Sequence, residues 1–163
     1  MEKYIAALVH VQDHQDQDIE ENSGTPTMKS YLTELREIKT EMLENLSVSI
    51  SSIQIINQTQ TRTLKDCLIK MATNSLTILS KLKSIPSETI IDDNTKLFER
   101  KNADYGNSFV DFELIGIIVR LNDKINRILN LGETAPESML VDEKIEDTIN
   151  DLYNYCVIGL MYT

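Results

Sequence analysis

The spacing of apolar residues is the feature that most constrains this chain. Leu, Ile, Val and Met recur at steps of three and four through most of its 163 residues. That is the period of a helix that buries one stripe of its surface. The stripes run through roughly residues 3–21, 27–46, 62–84, 109–131 and 145–160. No segment shows a clear strand pattern, so the sequence predicts an all-α fold.

Turn-forming residues separate the apolar stripes. Asn22–Pro26 interrupts the chain after the first helix, and Pro86 stops the third. Residues 102–108 are predicted to form a loop, because Gly and Asn tolerate positive φ angles, and a short helix should precede them. Residues 47–61 fit the periods of a strand and of a helix about equally, and we interpret them as helix. The sequence thus predicts five or six helices, packed as an antiparallel bundle.

The charge of the chain excludes some partners. Its formal net charge is −10, which repels the phosphate backbone of nucleic acids, so we expect no nucleic-acid polymer as partner. No apolar run approaches the roughly 18 to 20 residues that span a bilayer. The start Met1-Glu2-Lys3 does not resemble a signal peptide. We therefore expect no membrane association and a location in the cytoplasm.

Two carboxylates stand one turn apart on the last predicted helix. Asp147 and Asp151 are four residues apart and Asn154 follows at three, so all three project from one face. Like charges at this spacing repel unless a cation lies between them, and an oxygen-only ligand set favours Mg²⁺ or Mn²⁺. The alternative is a solvated acidic stripe, which is common on helices.

The preceding long helix offers the opposite charge. Arg120, Asp123, Lys124 and Arg127 line one face, where three cations could receive a polyphosphate. The alternative is a ladder of ion pairs within the helix, in which Asp123 pairs with both arginines. Antiparallel packing of the last two long helices would place the cationic and acidic faces side by side.

The predicted loop before the long helix adds further candidates. A helix N-terminus can present free N–H groups to phosphate, and an aromatic ring can stack on a base. The candidate substrate-binding residues in this segment are Lys101, Asp104, Tyr105, Gly106 and Asn107. The loop lacks the Gly-Lys-Ser/Thr signature of a P-loop, so it does not predict a Walker-type site.

Three ordered blocks in the C-terminal half resemble a known family. The blocks are Lys101–Phe109, Arg120–Arg127 and Glu146–Tyr155. They fit the pattern K-N-x-D-Y-G, then R-x-x-D-K-x-x-R, then E-D-T-x-x-D-L-x-N-Y. This pattern is similar to that of the nucleotide modification associated domain type 1 family, over roughly residues 94–162.

The resemblance implies a small, mostly phage or viral, all-α domain that is similar in outline to MazG-type and dimeric dUTPase-type pyrophosphatases. It implies a Mg²⁺-dependent (deoxy)nucleoside triphosphate pyrophosphohydrolase with Asp147 and Asp151 as metal ligands. Asp123 and Glu146 would be the catalytic carboxylates, and Arg120, Lys124, Arg127 and Asn154 would bind substrate. For a viral protein the expected location is the cytoplasm of the host cell.

The resemblance leaves the first half of the chain without a role. We therefore divide the chain into an N-terminal helical extension, residues 1–90, and a nucleotide-related domain, residues 91–163. The extension would pack on the bundle or form a homo-oligomer interface. Two other functions stay open: a protein that binds a nucleotide or nucleotide-derived signal without turnover, and a purely structural helical interaction protein.

Overall fold

The computed structural model describes residues 1–21, 27–52, 58–105, 113–134 and 143–163, and these ranges form six helices without a strand. The predicted all-α fold is thereby confirmed. The helices are α1 (Glu2–Glu21), α2 (Met28–Ser52), α3 (Gln58–Lys83), α4 (Ser87–Tyr105), α5 (Glu113–Thr134) and α6 (Glu143–Leu160). None of the described helices is both long and apolar enough to cross a membrane.

Local sequence signals explain where α2 begins and where α3 ends. At the start of α2, the amide of Ser30 donates to Thr27 Oγ1 (3.1 Å) and the amide of Thr27 donates to Ser30 Oγ (2.9 Å), a reciprocal capping arrangement. After α3, Ser84 adopts a φ of 55° and the amide of Ile85 donates to the Ser80 carbonyl (3.2 Å). This is the Schellman geometry, and Pro86 then prevents continuation of the helix.

Helices α3 and α6 form the centre of the fold, with the most extensive helix-to-helix contact in the described chain. Apolar residues of all six helices join one buried cluster. Gly159 of α6 permits close approach, because a Cβ atom there would stand 3.0 Å from Leu68 Cδ1 of α3. The rings of Tyr4 (α1) and Phe98 (α4) stack with their centroids 4.0 Å apart.

Side-chain contacts establish which helices run antiparallel. Tyr4 lies beside Phe98, and Gln15 contacts Ser87, so α1 runs opposite to α4. In the same way, α5 runs opposite to α6, since Gly159 lies beside Ile117 while Asp151 contacts Lys124. The antiparallel arrangement predicted for the last two long helices is therefore present.

One loop prediction is wrong in part. Residues 102–105 belong to the last turn of α4 instead of a loop, and α4 is a 19-residue helix instead of a short one. The apolar positions Ile90, Ile91 and Phe98 give α4 a buried face, and that packing outweighs the local turn preference of Asn102 and Asp104. The interpretation of 47–61 as helix holds for the described residues, up to Ser52 and again from Gln58, whereas 53–57 lie outside them.

Candidate functional site

The outward side of α6 is polar. We define the polar face of α6 as Asp147, Asn150, Asp151 and Asn154, which the helical period of 100° per residue places on one side. Asp147 is exposed and the other three are partly buried. The buried side of the same helix carries Ile145, Ile149, Leu152, Tyr153 and Cys156, none of which is exposed. Helix α6 thus lines the core with one side and offers polar groups on the other.

Helix α5 borders the polar face on one side through an ion pair. Lys124 Nζ lies 2.6 Å from Asp151 Oδ2, and the two side chains are 25% and 45% exposed. Because the pair is only partly buried, its Coulomb energy is screened by solvent and its contribution to stability is small. The pair shows that the cationic side of α5 lies against the acidic side of α6, and the buried apolar residues of the two helices hold them in this position.

The antiparallel register extends this juxtaposition beyond one pair. We define the cationic row as Arg120, Lys124 and Arg127, which follow one flank of α5 at helical spacing. Because Lys124 lies opposite Asp151, Arg127 stands level with the turn that carries Asp147, and Arg120 with the turn that carries Asn154. The cationic row and the polar face of α6 therefore run side by side for two turns.

The predicted alternative, an ion-pair ladder within α5, does not form. Across the described ranges, Asp123 makes no ion pair with Arg120 or Arg127, and all three side chains are exposed. The helical period places Asp123 further round α5, on the side of the cationic row away from Asp151. Lys124 pairs with the neighbouring helix instead, which leaves both arginines of the row facing solvent.

Helix α4 borders the polar face on the side away from α5. There Asn94 of α4 contacts two asparagines of α6. We name Asn94, Asn150 and Asn154 the amide cluster. Asn94 Nδ2 donates to Asn150 Oδ1 (2.9 Å), and Asn150 Nδ2 returns a hydrogen bond to Asn94 Oδ1 (3.0 Å). Asn154 Nδ2 donates to the same Asn94 Oδ1 at 2.7 Å. The cluster ties α4 to α6 by side-chain hydrogen bonds.

Asn94 and Asn150 were not among the residues predicted from the sequence. Asn94 is only 4% exposed and lies between Ile90 and Phe98, at steps of four along the buried stripe of α4. A polar residue at a stripe position needs partners, because a buried unpaired amide is costly. That interruption of the apolar stripe was the available signal, but the sequence does not show which helix supplies the partners.

The structure describes the side chains of only some of the other predicted site residues. Lys101 is exposed and lies seven residues beyond Asn94, about 10 Å along α4. Asp104 and Tyr105 are in the last turn of α4, but their side chains lie outside the described residues, as do Gly106 and Asn107 entirely. Glu146 is partly buried on α6. The structure therefore brings the cationic row of α5 beside Asp147, Asp151 and Asn154 of α6. Of the candidates in the predicted loop, Lys101 is the one whose side chain is described.

The carboxylates can be tested as ligands for Mg²⁺. Asp147 and Asp151 stand one turn apart, and a site of one or two carboxylates completed by substrate phosphates is the usual protein site for this ion. In the described part of the chain, no group of three or more His, Cys, Asp or Glu side chains is arranged to hold a metal ion. Asp147 and Asp151 thus fit a Mg²⁺ ion whose other ligands would be phosphate oxygens and water.

Below the polar face, the buried groups of α6 stay uncharged. Burial raises the pKa of the Cys156 thiol and of the Tyr153 hydroxyl above their usual values. Tyr153 Oη makes no hydrogen bond within the described structure. The carboxylates Asp147 and Asp151 lie on the other, outward side of α6, beside the cationic row.

Comparison with known proteins supports a nucleotide-related role for this part of the chain. Residues 101–162 match the family model named nucleotide modification associated domain 1. The matched segment contains the cationic row and the whole polar face of α6, while Asn94 lies just before it. No curated protein and no solved structure matches the chain significantly.

Proposed function

We propose that this protein binds a nucleotide with its phosphates on the cationic row and processes it at the polar face of α6. The observation that carries the proposal is the contact between Lys124 Nζ and Asp151 Oδ2, at 2.6 Å. This contact aligns a row of three cations with two carboxylates inside the segment that matches a nucleotide-related family. A nucleoside triphosphate requires cations beside its phosphates, and its divalent cation requires carboxylates close by.

The exposed arginines are suited to bind phosphate. The guanidinium groups of Arg120 and Arg127 are not used in ion pairs among the described residues, and guanidinium binds phosphate oxygens through paired N–H donors. They stand seven residues apart, about 10 Å along α5, with Lys124 between them. A triphosphate chain can therefore contact more than one cation of the row.

The reaction proposed is hydrolysis of a (deoxy)nucleoside triphosphate by water, which gives a nucleoside monophosphate and pyrophosphate. Mg²⁺, when bound by Asp147 and Asp151, supplies neutralisation of phosphate charge. Glu146 of α6 accepts the proton of the attacking water, and Arg120 and Arg127 stabilise the charge on the departing pyrophosphate. Asp123 is not assigned this step, because it lies on the side of the cationic row away from Asp151.

A second function is favoured by the same ion pair. The Lys124 ammonium already neutralises Asp151, and no third carboxylate joins Asp147 and Asp151 in the part of the chain that is described. A site of this kind can hold a nucleotide without a metal ion and without turnover. Capture of a nucleotide or a nucleotide-derived signal is therefore the second candidate.

A nucleotide panel with product analysis tests both candidates. The protein is incubated with ribo- and deoxynucleoside triphosphates, with and without Mg²⁺, and products are read by mass spectrometry while binding is measured by calorimetry. Cleavage that needs Mg²⁺ and is lost in Asp151→Ala supports the enzyme. Binding that leaves the nucleotide intact and does not need Mg²⁺ supports capture.

A matched control separates the site from general charge effects. Arg127→Ala should weaken nucleotide binding by at least tenfold, because a charge-assisted hydrogen bond contributes about 1.5 to 3 kcal/mol. Lys96→Ala removes the cation of the exposed Asp92–Lys96 pair on α4 (3.8 Å) and should leave binding unchanged. Equal effects of the two substitutions, or silence across the whole panel, would contradict the proposal.

A further inference from the structure

We propose that Asn154 recognises an uncharged O–H or N–H donor of the nucleoside part of the ligand, and that Asn94 is the positioning residue that fixes this preference. The inference deepens the proposed function and depends on it. It assigns a role to the amide cluster, which joins α4 to the polar face of α6.

The side-chain amide of Asn154 has used its donors. Its Nδ2 donates to Asn94 Oδ1 (2.7 Å) and to the backbone carbonyl of Asn150 (3.0 Å), and an amide nitrogen carries two hydrogens. Its Oδ1 accepts no hydrogen bond from the described chain and is not sealed from solvent. Asn154 therefore presents only an acceptor to a ligand.

Backbone carbonyls determine this orientation. Carbonyl oxygens can only accept, so the atom of Asn154 that faces the Asn150 carbonyl has to be nitrogen. The same argument applies to Asn94, whose Nδ2 donates to the Ile90 carbonyl at 3.0 Å. Its oxygen then faces Asn154 and Asn150, and all four of its hydrogen bonds are made.

Burial makes the arrangement resistant to change. Asn94 is 4% exposed, so water cannot replace a partner that is lost. A rotation of the Asn154 amide would place its oxygen against the Asn150 carbonyl and against Asn94 Oδ1, leaving acceptors opposed in a buried setting. The acceptor character of Asn154 is therefore set by residues that do not touch the ligand.

An acceptor at this position selects against phosphate and for the nucleoside. Phosphate oxygens are acceptors themselves, so Asn154 cannot bind them with both of its hydrogens used. Asn154 stands level with Arg120, at one end of the cationic row, so a ligand with its phosphates on that row can bring its sugar or base to Asn154. A sugar hydroxyl and a base N–H share the required chemistry.

The test compares a nucleotide with analogues that lack a single donor. For the nucleotide that binds most tightly in the panel above, affinities are measured by calorimetry for analogues without the 2′-hydroxyl, the 3′-hydroxyl or an N–H of the base. Wild-type protein should bind one of these analogues about tenfold more weakly than the parent. The analogue that loses affinity identifies the sugar or the base as the source of the donor.

Three variants then assign the effect. Asn154→Ala should bind that analogue and the parent equally. Asn94→Leu should also lose most of the discrimination while still binding inorganic pyrophosphate. Asn150→Ala is the matched control, because it removes an amide from the same cluster but keeps both acceptors of Asn154, namely Asn94 Oδ1 and the backbone carbonyl of residue 150. It should retain the discrimination.

Each outcome of these measurements supports or contradicts the roles assigned to Asn154 and Asn94. If nucleotides bind but no donor-lacking analogue is discriminated, or if Asn154→Ala keeps the discrimination, the assignment of Asn154 is wrong while the proposed function stands. If Asn150→Ala loses the discrimination between parent and analogue as Asn94→Leu does, Asn94 stabilises the fold without positioning Asn154. If no nucleotide binds at all, the proposed function fails, and the assignment of Asn154 and Asn94 fails with it.

Discussion

The two sides of α6 differ in what they do for the molecule. The buried side packs Ile149, Leu152 and Cys156 against α3 and α5, with no exposed surface. The polar face carries two carboxylates and two amides, and it contacts its neighbours through one ion pair and a few hydrogen bonds. The first side contributes most of the stability, because apolar burial is worth far more than a half-exposed ion pair. The two carboxylates of the second side can therefore change with little effect on folding, whereas its two amides are hydrogen-bonded to the buried Asn94.

The largest expected effect comes from truncation of the buried side. Leu152→Ala should lower the free energy of unfolding by about 2 to 5 kcal/mol, because it removes buried methyl groups and leaves a cavity. Asp147→Ala on the polar face should change it by no more than about 0.5 kcal/mol. Urea denaturation followed by circular dichroism measures both. Similar losses for the two variants would mean that the polar face also carries the fold.

Overpacking the contact between α6 and α3 is expected to cost somewhat less. A side chain larger than alanine at position 159 meets Leu68 and Ile117, whose nearest atoms already stand 3.0 and 3.4 Å from the Cβ position. Gly159→Leu should lower the free energy of unfolding by about 1 to 3 kcal/mol. Gly159→Ala, measured in the same urea titration, should lose less, because better helix propensity offsets the tight contact. A Leu variant as stable as wild type would mean that α3 and α6 are not in close contact here.

High pH should lower the stability of the protein through the Cys156 thiol on the buried side of α6. Burial raises the pKa of Cys156 above its ordinary value of 9.0, so the folded protein keeps a proton that the unfolded chain releases. Stability is thus complete below about pH 9 and falls above it, with a slope that approaches about 1.4 kcal/mol per pH unit for this group. Unfolding titrations at pH 8, 9 and 10 should show this slope reduced in Cys156→Ala. An unchanged slope would show that Cys156 does not contribute.

Removal of the buried Tyr153 hydroxyl, unlike the changes above, is not expected to lower the stability of the protein. Tyr153 Oη is buried and makes no hydrogen bond with the described residues, which is an energetic cost. Tyr153→Phe should therefore leave the thermal midpoint unchanged or raise stability by up to about 1 kcal/mol. A clear loss of stability in calorimetry would indicate that the hydroxyl has a partner, such as a buried water molecule.

The smallest effect should come from the ion pair of the polar face. A double-mutant cycle of Lys124→Ala and Asp151→Ala should give a coupling free energy of about 0.2 to 1 kcal/mol, because both side chains are partly exposed to solvent. The coupling should shrink in 0.5 M salt. A coupling above about 2 kcal/mol would show that this side of α6 stabilises the fold as the buried side does.

The candidate site could be predicted from the sequence only in part. Residues of one helix, such as Asp147 and Asp151, share a face because of the helical period alone, and that prediction needs no partner. Antiparallel packing predicted that the cationic and acidic faces lie side by side, but it did not predict which residues pair. Asn94 was missed, because a single polar residue in an apolar stripe does not reveal which helix will supply its hydrogen bonds.

The sequence by itself determined that the chain is helical, because apolar spacing and turn residues act over short distances. It also determined which residues share a face of one helix. Only the tertiary structure decided that α4 continues through Tyr105, because packing of its apolar residues outweighs local turn preference. The tertiary structure also decided that Lys124 pairs with Asp151 of α6, and that Asn94 orients Asn154. These contacts join residues 27 and 60 positions apart, and their geometry depends on how whole helices pack.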